Sequence, residues 1–152
     1  DCSRPPAQCW KKGDQAIGRS RGGLSTRIHA RVDALGNPTG FLLTGGHRHD
    51  LLGADALLEP QRVGVWIADR GYDAQQRVLD RIAACGGEAV IPSRQHRLRP
   101  RDHDRWQYRA RHLIENFFAR LKQYRAIATR YDKTACNFLG AIHLAASVIW
   151  LN

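Results

Sequence analysis

Methionine is absent from this 152-residue chain, and acids are scarce: 14 Asp and Glu stand against 24 Lys and Arg. Without an initiator residue, the chain reads as a piece of a longer product. The shortage of acid leaves a formal charge of +10 and a pI near 10.2, which points to an anionic partner. Cys2, Cys9, Cys85 and Cys136 form no Cys-x-x-Cys pair and no zinc-like spacing with histidine. They read as reduced, mostly structural thiols of a cytoplasmic protein. No secretory leader opens the chain. The most apolar run, Cys136 to Leu151, carries Asn137 and His143 and falls short of the ~20 residues of a usual span. A buried helix is expected there, and no membrane partner. What is present is 43% hydrophobic residues, enough for one domain with a real core.

The positive charge is unevenly spread. Between Arg94 and Lys133 there are twelve Lys or Arg against four acids, Asp102, Asp104, Glu115 and Asp132. Trp106, Tyr108, Tyr124 and Tyr131 lie among them. Nucleic acid suits such a segment, because cations displace counterions from phosphates and aromatic faces stack on bases. Within it, Tyr108, Arg111, Glu115 and Lys122 fall at roughly 0°, 300°, 340° and 320° around a helix. They make one narrow polar stripe, while Leu113, Phe117, Leu121 and Tyr124 gather on the opposite side. Such a helix presents a carboxylate framed by cations and a phenol, although a solvated face laced with ion pairs has the same spacing.

Elsewhere the chain reads as follows. Residues 1–23 are an irregular basic lead containing Gly and Pro, and residues 24–152 form the folded part. Ser25 to Asp33 alternates like a half-buried strand. Leu35-Gly36-Asn37-Pro38 is a turn and Gly40 to Leu43 a second strand, giving a hairpin. Asp50 is placed to cap a helix through about Leu58, and Asp73 another through Ala84. Val63 to Ala68 suits an interior strand ending in Asp69, and Glu88 to Ile91 another. An arginine-rich loop, the striped helix and the apolar helix follow. This order predicts a mixed α/β layer fold. Gly18 to Gly23 lacks the Gly-Lys-Ser/Thr ending of a nucleotide loop and reads as backbone that a polyanion approaches. His47-Arg48-His49-Asp50 has the composition of a metal cluster, but Asp50 has the capping role available. His29 has no single reading.

Tyr108-x-x-Arg111-x-x-x-Glu115-x6-Lys122 resembles the signature of bacterial insertion-sequence transposases, in the group that includes the IS-five-type enzymes. Three further blocks resemble the same family in the same order: Gly18 to His29, Ala68-Asp69-Arg70-Gly71-Tyr72-Asp73, and Thr129-Arg130-Tyr131-Asp132-Lys133. Together they cover about residues 11 to 151. The resemblance implies a ribonuclease-H-like mixed sheet flanked by helices. It makes Asp69 and Glu115 the second and third members of an Asp-Asp-Glu triad and the ligands of Mg²⁺, with Mn²⁺ able to substitute. Two such ions about 3.5–4 Å apart serve both the attacking water and the leaving oxygen. Tyr108, Arg111 and Lys122, with Arg19 and Arg21 of the Gly-rich lead, become contacts to DNA. A cytoplasmic, nucleoid-associated protein acting as a homo-oligomer on paired transposon ends is implied as well.

The resemblance breaks at the start of the chain. The family's first catalytic Asp lies on a strand well upstream of the Lys-Lys-Gly block. Here Asp1 stands too close to Lys11-Lys12-Gly13, and Pro5-Pro6 exclude a central strand because proline cannot join its ladder. The expectation is a catalytic domain without its first, central strand and first Asp, as a frameshift or chance fusion would leave it. Two other readings stay open: a catalytically inactive DNA-binding remnant, and a general metal-dependent nuclease.

Overall fold

The period-two pattern after Gly23 produces the longest of the described strands. In the computed structural model, which describes residues 13–58 and 64–151, β2 (Gly23–Val32) runs antiparallel to β3 (Pro38–Gly45). The hairpin turn is knit by Asp33, whose Oδ1 accepts from the N–H groups of Leu35 and Asn37, both at 2.9 Å. These bonds, the one from Asn37 first, hold the Asp33 carboxyl below its usual range. Gly36 supplies the positive φ of 89° that the turn requires. Part of the lead expected to be irregular is a strand: β1 (Gly18–Ser20) folds back on β2, with Arg19 opposite Leu24. The expectations resting on Asp1 and Pro5-Pro6 concern residues outside those described.

The alternation of β2 divides its side chains between two cores. Ile28, Ala30 and Val32 pack with Phe41 and Leu43 against α4 (His112–Leu121) and α6 (Ala135–Leu151). There Phe117, Leu121, Phe138 and Ile142 are almost fully buried, each stabilising the fold by about 1.5–3 kcal/mol relative to exposure. On the other side His29 points at α1 (Leu51–Leu57), where Gly53 gives it room: a Cβ there would stand 2.3 Å from His29 Nδ1. The second core joins Ala54 of α1 to Val78, Leu79, Ile82 and Ile91.

That second core supports a parallel pair, β4 (Val65–Ile67) beside β5 (Glu88–Val90). The crossover between them is a 3₁₀ turn at Arg70–Tyr72, a π-helical turn at Gln75–Leu79 and α2 (Asp80–Ala84). The molecule is thus α/β as expected, but the described strands form two sheets and not one mixed sheet. From Thr26 to Val32, β2 pairs only with β3, and β4 pairs only with β5, so each keeps an edge that no described strand fills.

The striped helix is real but segmented: α3 (Arg105–Tyr108), a 3₁₀ turn at Arg109–Arg111, then α4. Asp104 caps it, accepting from the N–H groups of Trp106 and Gln107. After α5 (Arg125–Ala128), Arg130 takes a left-handed backbone (φ 47°), and its guanidinium donates to the carbonyls of Gln15 and Ala16 and to Thr26. Among the described residues no helix is long and apolar enough to cross a membrane. Cys136 is disulfide-bonded, against the expectation of reduced thiols, whereas Cys85 is a free thiol.

Candidate active site

Asp69 stands two residues past the end of β4, half-buried, where the chain turns out of the parallel pair. Its Oδ1 accepts the Gly71 N–H at 2.8 Å and so caps the 3₁₀ turn. Its Oδ2 accepts no hydrogen bond from the described residues. One oxygen fixes the carboxylate and the other stays open. A Cβ on Gly71 would lie 2.9 Å from Asp69 Oδ1 and 3.2 Å from Asp50 Oδ2. The two carboxylates therefore face the same glycine, and a larger residue there would push into both.

Asp50 occupies the N-cap position of α1 but its side chain does not cap, contrary to expectation. The Arg27 guanidinium on β2, 2.5 Å from Oδ1, has drawn it away. His47 packs over Gly18 and Gly45, and His49 Nδ1 accepts the Leu51 N–H at 3.3 Å, so the His47–Asp50 run does not converge on a metal.

Asp73 also fails to cap the following helix, which begins after Ala74. Its side chain is only 1% exposed and is taken by three donors from the arginine-rich loop: the Arg94 N–H at 2.8 Å, Arg97, and Arg101 at 3.3 Å. Arg94 reaches further and donates to the Gly71 carbonyl at 2.8 Å. The basic loop is thus bolted to the turn that carries Asp69. Tyr72, the last residue of that turn, places its hydroxyl 3.2 Å from His29 Nδ1, and His29 Nε2 lies 2.9 Å from Thr44 Oγ1. Burial first, then the charges of Asp50 and Asp69, push the Tyr72 phenol up to about 12. Burial likewise lowers His29 from its usual value, keeping the imidazole neutral.

The stripe on the second element assembles only in part. Glu115, 56% exposed at its side chain, is paired with Arg111 at 2.7 Å. The Arg111 guanidinium lies 5.9 Å from the centre of the Tyr108 ring, which meets His103 edge-on. Lys122 follows the last turn of α4 and is exposed, as are Arg19 on β1 and Arg21 at the β1–β2 turn. Among the described residues no three His, Cys, Asp or Glu side chains form a metal-holding group. Mg²⁺ needs only one or two protein carboxylates and keeps water and substrate phosphate as its other ligands. The open Oδ2 of Asp69 fits that demand.

Asp50, His29 and Asp73 were not singled out as site residues by the sequence. Their signals were present as glycines next to bulk (Gly53, Gly71), but the partners lie 21 to 43 residues away along the chain.

Residues 66–152 match the family model of the transposase DDE domain. A protein of Brucella ovis named "Putative transposase for insertion sequence element IS6501" is 40% identical over 133 residues, which cover 84% of this chain and 99% of the relative. No solved structure matches.

Proposed function

The chain belongs to the insertion-sequence transposases that carry a DDE domain, and from that membership we propose that residues 24–152 are a ribonuclease-H-like catalytic unit. It would hydrolyse phosphodiesters at transposon ends and pass the freed 3′-hydroxyls to target DNA. One observation carries the reading. Asp69 closes a parallel strand with one oxygen bonded and the other open, at the strand end where open α/β sheets place their ligands.

Mg²⁺ held by Asp69 and Glu115, with Mn²⁺ as substitute, would supply Lewis-acid charge to the scissile phosphate and its attacking water. The chain's own residues do the rest. The Gly71 N–H holds Asp69 so that its open oxygen keeps one direction. Arg111 binds Glu115 in the free protein, and a DNA phosphate would compete for that guanidinium and release the carboxylate. Arg111 suits bidentate contact and Lys122 a point charge. Tyr108 would lie along the sugar-phosphate backbone, and Arg19 and Arg21 would extend the contact from the β1–β2 turn. A homo-oligomer on paired DNA ends, in the nucleoid, completes this reading.

A second reading has its own support: the Glu115 carboxylate is already occupied by Arg111. That suits a DNA-binding remnant without chemistry. Supercoiled plasmid with Mn²⁺ separates the two. The catalytic reading expects nicking by the parent, none by Asp69→Asn or Glu115→Gln, and unchanged plasmid binding by all three. Equal binding with no nicking by any of them establishes the remnant.

A further inference from the structure

The Asp69 turn and the antiparallel sheet are not joined by strand pairing; α1 and the second core pack between them, and one direct polar contact adds to that packing. Among the described residues a single hydrogen bond crosses directly from the β1–β3 sheet to the β4–β5 unit: His29 to Tyr72. We propose that His29 and Tyr72 are positioning residues, which pin the Asp69 turn to β2 and thereby fix the direction of the Asp69 carboxylate. This rests on the reading of Asp69 as the reactive acid.

The geometry is over-determined in a way that plain core packing does not need. His29 is 3% exposed and its two ring nitrogens are both engaged, by a hydroxyl from the Asp69 turn (Tyr72) and one from the neighbouring strand β3 (Thr44). Hydroxyls donate or accept, so either neutral tautomer is satisfied. Gly53 closes over the ring so tightly that no side chain fits there, which bars the imidazole from swinging away. From Tyr72 the constraint passes to the adjacent residue of the 3₁₀ turn, Gly71, whose N–H holds Asp69 Oδ1. Arg27 and Asp50 flank the junction: Arg27 lies two residues before His29 on β2, and Asp50 Oδ2 faces Gly71. Other polar contacts run through α1, from Arg31 to the Leu57 carbonyl and from Arg77 and Arg81 to Asp55, but the direct one reaches the turn that carries the candidate acid.

Tyr72→Phe is the discriminating variant, because it deletes the hydroxyl and keeps the buried ring. Hydrogen exchange of the Gly71 amide reports the turn, and that of Ile142 in α6 reports the distant core. The proposal expects the Gly71 amide to exchange about fivefold to tenfold faster, the size of one lost hydrogen bond, with Ile142 unchanged. A Gly71 rate equal to the parent's, or Gly71 and Ile142 accelerating together, overturns it, since the bond would then be either idle or merely part of global stability. His29→Gln, which keeps a donor and an acceptor, is expected to restore part of the protection that His29→Ala loses. Half-saturation by Mn²⁺, read from water proton relaxation, is expected to need severalfold more metal in Tyr72→Phe. Binding by the parent that Asp69→Asn leaves intact would instead break the reading of Asp69, while the Gly71 rate still decides the positioning role.

Discussion

The turn at Asp69 and the helix at Glu115 carry the two candidate acids, and they are built to opposite standards. Asp69 is half-buried, caps its own turn and is surrounded by bonded groups: Arg94 on the Gly71 carbonyl, Tyr72 on His29, and Asp73 beneath three arginine-loop donors. Glu115 is exposed and has Arg111 as its partner. Charge held in a rigid frame costs no reorganisation when the substrate arrives. Charge on a solvated helix is free to exchange partners. The contrast suggests a division of labour in which the turn is ready beforehand and the helix is completed by DNA, whose phosphate takes Arg111.

Four perturbations break or sharpen that contrast, beginning with the largest. Asp73→Ala would strand Arg97 and Arg101, and because both guanidiniums are partly exposed the cost should be about 2–3 kcal/mol, below the about 3–5 kcal/mol of a fully buried pair. Urea unfolding should show a loss of that order; a loss below about 1 kcal/mol would mean the loop is not anchored there. Gly53→Ala comes next, because its new methyl would overlap His29, and overpacking costs about 1–3 kcal/mol. The same change should loosen the Asp69 turn but leave the α6 core alone, which amide exchange can read.

Third is acidification. Burial places the His29 pKa below its unfolded value, so the unfolded chain binds a proton first. Its contribution to stability is complete above about pH 6.5 and declines as pH falls below that value. Thermal melts from pH 7.5 to 5.5 should therefore show a steeper fall for the parent than for His29→Gln; parallel curves would remove His29 from the account. The smallest effect on stability belongs to Arg111→Ala, whose exposed i,i+4 pair is worth about 0.3–0.5 kcal/mol. Its DNA affinity should drop nonetheless, with the salt dependence reduced by about one phosphate contact. An unchanged salt slope would leave Arg111 as nothing more than a partner of Glu115.

Patterns with short range were legible in the sequence. The β2–β3 hairpin followed from alternation and its turn residues, and α6 from its apolar run, although only one face of α6 is buried and Leu144, Trp150 and Leu151 are exposed, against the expected buried helix. The buried side of α4 followed from the spacing of Phe117 and Leu121. What escaped were competitions decided at long range. Asp50 and Asp73 both stand where an acid begins a helix, and local propensity favours capping. Arg27, 23 residues before Asp50, and Arg97 and Arg101, 24 and 28 residues beyond Asp73, offer each acid a charged partner instead. His29 was unreadable for the same reason, since nothing near it in sequence reveals Tyr72 or Thr44. The π-helical turn at Gln75–Leu79 has no sequence signal that we can name.

A metal bound at a prepared Asp69 is the centre of the proposed chemistry. Iron-directed hydroxyl-radical cleavage of the protein tests this most directly, with Fe²⁺ and ascorbate replacing Mg²⁺. The prediction is backbone scission close to Asp69, suppressed by excess Mg²⁺ and absent from Asp69→Asn, with a second cut near Glu115 that appears or strengthens when DNA is added. Scission elsewhere, or cuts near Asp69 that persist in Asp69→Asn, would contradict it.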